Sequence, residues 1–131
     1  MKFIETGKIK KPSRSTKGSA GYDFYCPQTL TIGSGEIAVI DTGIIAEIDD
    51  GYYLSLHPRS SLYSKGLCIE GIIDSDYNRE IKAIIQNRNK SHSVHINAGE
   101  RFMQGIFHRY YTTDDDDVSD ERNGGLGSTG R

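Results

Sequence analysis

No run of about 18 apolar residues occurs anywhere in this 131-residue chain, so no segment reads as a membrane-spanning helix. An apolar leader core is missing too. Met1-Lys2-Phe3-Ile4-Glu5-Thr6 places charge where a secretory signal needs a hydrophobic stretch. The expectation is a cytoplasmic protein without a membrane partner. Cysteine is scarce: Cys26 and Cys68 are the only two, with no C-x-x-C, which excludes a disulfide framework and predicts reduced thiols. The sequon Asn89-Lys90-Ser91 carries no weight without secretion. His57, His92, His95 and His108 show no ligand spacing with cysteine or acid, which argues against zinc. Long helical periodicities are few, and 15 glycines point the same way.

What the chain does contain is a series of short apolar or alternating runs. They are Leu30–Ile32, Ile37–Ile40, Gly43–Ile48, Tyr52–Leu56, Ile81–Ile85 and Met103–Phe107, punctuated by Gly33-Ser34-Gly35, Asp49-Asp50-Gly51 and Asn97-Ala98-Gly99. Spacing of roughly eight to twelve residues with such turns predicts an all-β barrel or sandwich in one domain. Ser61–Leu67 is the one place where a helical turn or two is expected. The net charge of −2 hides an asymmetry, because Asp114, Asp115, Asp116, Asp117, Asp120 and Glu121 fall together without a basic residue. Without those six acids, 16 lysines and arginines face 12 acids, leaving +4. A mildly basic body suits a small anionic ligand and is too weak for nucleic acid. The organisation expected is a core over 1–113, a solvated acidic linker over 114–121 and a glycine-rich segment over 122–131 that orders over a ligand or stays a tail.

Several constellations bear on chemistry. Gly71-Ile72-Ile73-Asp74-Ser75-Asp76-Tyr77 sets two carboxylates and a phenol after an apolar pair. In extended backbone Asp74 and Asp76 share one face and Ser75 and Tyr77 the other; a turn breaks that alternation. A carboxylate beside buried isoleucines suits base work, and a tyrosine ring packs a flat or cyclic substrate. Alone, the segment reads as a strand entering an acidic turn. Asp74-x-Asp76-x-Asn78 opens like a calcium loop, but Arg79 stands where glycine is needed and Ile85 where the closing glutamate belongs. Gly125, Gly130 and Arg131 fall short of a P-loop, with no lysine and no following helix. Pro58-Arg59-Ser60-Ser61-Leu62 offers a guanidinium and two hydroxyls, able to hold phosphate or simply to cap a helix. Ala20-Gly21-Tyr22-Asp23-Phe24 alone is a strand start, and Gly99-Glu100-Arg101-Phe102-Met103-Gln104 a turn into a strand with one amide.

In this order the segments resemble the five motifs of the trimeric dUTP pyrophosphatases (dUTPases). The five are Gly18–Phe24, Pro58–Leu62, Gly71–Tyr77, Gly99–Gln104, and Arg122 with Gly124–Gly130. The resemblance spans nearly the whole chain. It implies an all-β jelly roll with a flexible C-terminal arm, and a homotrimer with shared active sites. It also implies hydrolysis of dUTP to dUMP and pyrophosphate with Mg²⁺, which keeps dUTP low and supplies dUMP for dTMP synthesis. On it, Asp74 is the base that activates water. Tyr77 packs under the deoxyribose, and backbone at Gly71, Ile73 and Lys82 pairs with uracil. Arg59, Ser60, Ser61 and Gln104 hold phosphates, Asp23 orients metal-bound water, and Arg122, Leu126, Gly127 and Ser128 close as a lid.

Four positions and the length of one motif depart from the family pattern. Leu126 replaces a stacking phenylalanine, Ser61 a glycine, and Cys68 an asparagine that reads uracil in some relatives. Arg79 replaces the glycine after Tyr77, in a tight hairpin turn, and the fifth motif is one residue short after Arg122. A related family, dCTP deaminase, needs a glutamate where Ile84 stands and lacks the Asp74–Tyr77 pattern. The remaining alternative is a non-catalytic nucleotide-sensing or protein-binding module on the same fold.

Overall fold

The computed structural model describes residues 1–124; the expected lid residues Leu126, Gly127 and Ser128 lie outside the described residues. The strands are β1 (Lys2–Glu5), β2 (Tyr22–Tyr25), β3 (Leu30–Ile32), β4 (Ile37–Asp41), β5 (Ile44–Glu47), β6 (Tyr52–Pro58), β7 (Leu67–Ile69), β8 (Gly71–Ile73), β9 (Lys82–Asn87), β10 (Val94–Ile96) and β11 (Arg101–Arg109), with a single helix, α1 (Ser60–Tyr63), among the described residues. Every recorded strand pairing is antiparallel. One sheet runs β2-β11-β6-β8 and another β4-β9-β7, and β1-β5 and β10-β3 form two-stranded pairs.

Alternation explains the inside of this all-β fold. On β6, Leu54 and Leu56 point inward and are essentially unexposed, while Tyr53, Ser55 and His57 take the other face. Phe3 joins the strands as an aromatic hub, its ring centroid 5.4 Å from Tyr22, 5.6 Å from Phe24 and 5.5 Å from Phe107. Phe102 and Met103 are adjacent yet both fully buried, because the β11–β2 register shifts between Arg101 and Met103. Buried Asn87 donates from Nδ2 to the carbonyls of Ile32 and His92, both at 2.9 Å, and its Oδ1 accepts from the Asn89 N–H at 2.9 Å. An apolar strand end thereby tolerates an amide.

The helix starts one residue before the expected Ser61–Leu67 and stops at Tyr63, and Leu67 already belongs to β7. Its first turn closes through Tyr63 N–H to the Arg59 carbonyl at 2.9 Å and Ser64 N–H to Ser60 at 3.0 Å. Tighter turns, Lys65 to Leu62 and Gly66 to Tyr63, carry the chain on to Gly66. Cys26 is buried and Cys68 half-buried, and both are free thiols; burial pushes the Cys26 thiol above its ordinary value. Beyond β11 the described residues 110–124 form neither strand nor helix, and the acidic residues 114–117 are exposed. Among the described residues, no helix is long and apolar enough to cross a membrane.

Candidate active site

Strand β8 pairs with β6, Leu54 opposite Ile73 and Leu56 opposite Gly71, and stops at Ile73. The chain then turns: the Tyr77 N–H bonds back to the Asp74 carbonyl at 3.1 Å. The strand alternation is therefore broken just where the carboxylates stand. Strand β9, which follows, belongs to the other sheet, so residues 74–81 are a crossing between layers and not a ladder hairpin. Arg79 fits there without strain, since the described residues with positive φ are all glycine.

The crossing is tied down at its far end. Buried Ile81 donates its N–H to the Ile44 carbonyl at 2.8 Å, and its carbonyl accepts from the Thr42 N–H at 3.0 Å and the Thr42 hydroxyl at 2.7 Å. The Gly43 N–H donates to Glu80 Oε1 at 3.0 Å. Tyr77 is nearly buried, and its hydroxyl donates to the Glu80 carbonyl at 3.1 Å, fixing the ring. Lys82 sends its side chain to Asp41, whose hydrogen bond and charge raise the ammonium pKa. Ile81 spends its backbone groups on the β4–β5 side. By antiparallel alternation, Lys82 turns its own toward the side on which β7 ends at Ile69, opposite Ile85.

Asp74 and Asp76 open into a cleft of about 430 Å³ lined by Tyr53, Ile72, Asp74, Ser75, Asp76, Tyr110 and Arg122. Arg122 crosses it. Its Nη2 donates to Asp74 Oδ2 at 2.5 Å, its Nε to Asp76 Oδ1 at 2.7 Å and its Nη1 to the Gly124 carbonyl at 3.3 Å. The guanidinium carbon lies 5.9 Å from the Tyr77 ring centroid. These bonds, Asp76 first, raise the Arg122 pKa, so the group stays charged.

A second, more polar cleft of about 310 Å³ gathers Ser15, Ser19, Ala20, Gly21, Asp23, Arg59, Ser60, Gln104 and Ile106. Gln104 sits opposite Asp23 on the β11–β2 ladder and opposite His57 on β6. Its amide lies across Gly21, where a Cβ would come within 2.2 Å of Oε1. Asp23 is held by the Ser15 hydroxyl at 3.1 Å and by Arg101 at 3.6 Å, and Arg101 also donates to Ser15 at 3.0 Å. A guanidinium, hydroxyls and an amide around one carboxylate suit phosphate oxygens. They also suit a hard divalent cation that arrives on those oxygens and keeps its waters, since the cleft offers a lone carboxylate instead of a cage. Among the described residues no group of three or more His, Cys, Asp or Glu could hold a metal ion by itself.

The expected residues thus fall into two sets. Asp74 and Arg122 line one cleft, with Tyr77 under the guanidinium and Gly71 and Ile73 on the strand leading in. Asp23, Arg59, Ser60 and Gln104 line the other. The clefts share no lining residue. The clefts flank one rung of the sheet: Ile72 of the first and Ile106 of the second both stand opposite Ser55 of β6, about 10 Å apart at two strand spacings. Ser61 lies on α1, outside the lining of either cleft. Sequence reasoning did not single out Ser15, Tyr53 and Tyr110, which line the clefts, or the role of Arg101 in holding Asp23 and Ser15. On the face between the clefts, the Ser55 hydroxyl meets His57 Nε2 and His108 Nε2, each at 2.7 Å, with Tyr53 stacked 5.0 Å from the His108 ring.

Across residues 7–130 the chain matches the family model described as dUTPase. It is 40% identical to the deoxyuridine 5′-triphosphate nucleotidohydrolase of Lactococcus lactis subsp. lactis (strain IL1403), over 93% of this chain and 89% of that protein. With the monkeypox virus protein of the same description it shares 37% identity, over 99% and 90%. Among solved structures, a mutant of the Staphylococcus bacteriophage 80alpha dUTPase with dUpNHpp is similar at a TM-score of 0.80. Its identity is 25%, over 93% of this chain and 97% of that one.

Proposed function

The chain belongs to the dUTPase family, and from that premise we propose that it hydrolyses dUTP to dUMP and pyrophosphate, with Asp74 activating the water that attacks the α-phosphorus. The observation that supports Asp74 in this role is its position: a half-exposed carboxylate at the mouth of a cleft, on a turn anchored by Thr42, Ile81 and Glu80. The Asp74 carboxylate takes a proton from water, and the new P–O bond forms as the bond to the pyrophosphate oxygen breaks. Tyr77, locked through Glu80, packs the deoxyribose and excludes a 2′-hydroxyl. The outward backbone of Lys82, with Gly71 and Ile73, pairs with uracil. Arg59, Ser60 and Gln104 hold the phosphates, with Ser61 behind them on α1, and Arg122 joins them with Leu126, Gly127 and Ser128 as a lid. Residues 1–113 are the core, 114–121 a linker and 122–131 that lid. Mg²⁺ on the phosphate oxygens would supply charge neutralisation, with Asp23 holding one of its waters.

A base must stand within about 3 Å of the proton it removes, whereas Asp74 lines the cleft on the β8 side of β6 and Arg59, with Gln104, the cleft on its β11 side. One copy therefore supplies the Asp74 half and another the Arg59 half. Such a head-to-tail contact between unlike faces closes into a ring, here a homotrimer. The test is pyrophosphate release from dUTP, UTP, dCTP and dTTP side by side with Mg²⁺. Selective turnover of dUTP, with Asp74→Asn lowering it by ~10²–10⁴-fold while nucleotide still binds, is the expected result. Binding of dUTP by wild-type protein without turnover would point to a nucleotide-sensing module, and ammonia from dCTP to a deaminase.

A further inference from the structure

Arg122 makes a two-carboxylate contact that catalysis does not need. Its guanidinium forks across Asp74 and Asp76 at 2.5 and 2.7 Å, with the third nitrogen on the Gly124 carbonyl at 3.3 Å. The Arg122 side chain is 13% exposed, whereas Asp74 and Asp76 keep 55% and 58% of theirs. The arginine is thus largely covered by the cleft it lines, while both carboxylates remain wet. With its carbon 5.9 Å from the Tyr77 centroid, the guanidinium occupies the space beside the ring where a sugar would pack. With three of its five N–H donors spent on Asp74, Asp76 and Gly124, the guanidinium keeps two for phosphate oxygens while it stays in this place.

Resting on the dUTPase reading above, we propose that Asp76 is a positioning residue that parks Arg122 on Asp74 when no nucleotide is bound. The substrate's phosphates must then draw the guanidinium away before Asp74 can accept a proton. The contact takes up Oδ2 of the base and lies beside the sugar-packing ring, and its release is coupled to the arrival of a triphosphate. Asp74 contributes one arm of this contact and Asp76 the other, but only Asp74 is needed for the reaction. Asp76 can therefore be changed without touching the base. A ligand binding only the open form loses affinity by the fraction of chains that are closed.

The experiment compares wild type with Asp76→Asn and Asp76→Glu, as full chains with Mg²⁺. It reads dUTP kinetics, together with tryptic cleavage of the Arg122–Asn123 bond in nucleotide-free protein, followed by mass spectrometry. Losing one arm of a partly exposed ion pair should lower KM by about two- to fivefold. It should leave kcat unchanged and speed that cleavage by a similar factor, and Asp76→Glu should return both to wild type. A raised or unchanged KM with unchanged cleavage would overturn the proposal and leave the dUTPase reading intact. Wild-type protein without dUTP turnover would instead overturn that reading, and the cleavage rates alone would then decide whether Asp76 parks Arg122.

Discussion

Gln104 and Gly21 act as a pair that neither residue explains alone. The amide of Gln104 rests where a Gly21 side chain would be, 2.2 Å from the ideal Cβ position. Gly21→Ala must therefore swing the end of a flexible side chain out of the polar cleft. The expected outcome is a dUTP KM raised about two- to tenfold, the worth of one displaced hydrogen-bonding group. Thermal midpoint should barely move, and steady-state kinetics beside a melting curve checks both. At this scale much of the candidate site was legible in the sequence, because Asp23, Arg59, Asp74 and Gln104 each sit in a short motif. Ser15 and Arg101 were not picked out as partners of Asp23, since 86 residues separate them and only the β11–β2 ladder and its bulge bring them together. Asp76 was in view but not its use, because nothing local says that Arg122, 46 residues on, would reach it.

Among the elements, the crossing from β8 to β9 matters most, and its stiffness comes from Thr42. This buried hydroxyl donates to the Ile81 carbonyl at 2.7 Å and accepts the Ile44 N–H at 3.2 Å. Thr42→Val keeps the shape but orphans a buried donor, which should cost about 1–3 kcal/mol. Urea denaturation measures that loss, and KM should rise with it because Ile81 anchors the turn that carries Tyr77. The strands themselves were readable where alternation or apolar runs were long: β4, β5, β6, β9 and β11 fall where the pattern puts them, within a few residues. Three-residue β3 was readable too, whereas β1, with Phe3 alone buried, and β7 stood out as no such run, and pairing defines them. The supposed hairpin after Tyr77 shows the same limit. The sequence displays a turn between two runs, but not that the runs enter different sheets.

At the scale of the whole molecule, β6 runs between the two clefts, one on its β8 side and one on its β11 side. The proposed sharing of sites predicts complementation. Asp74→Asn and Arg59→Ala chains should each be nearly inactive alone, yet regain about a quarter of wild-type turnover when unfolded and refolded together, as random mixing into rings requires. Two inactive proteins that stay inactive in every mixture would contradict the shared site. The separation across β6 has a further consequence, in how a defect is inherited. With sites shared as proposed, each chain would lend its base to one site and its phosphate grip to another, so a copy damaged at both ends would silence two sites in any ring it joins. A lesion of that kind would act dominantly over the intact chains around it, whereas damage at either end alone would spoil one site per copy and dilute in proportion to its dose.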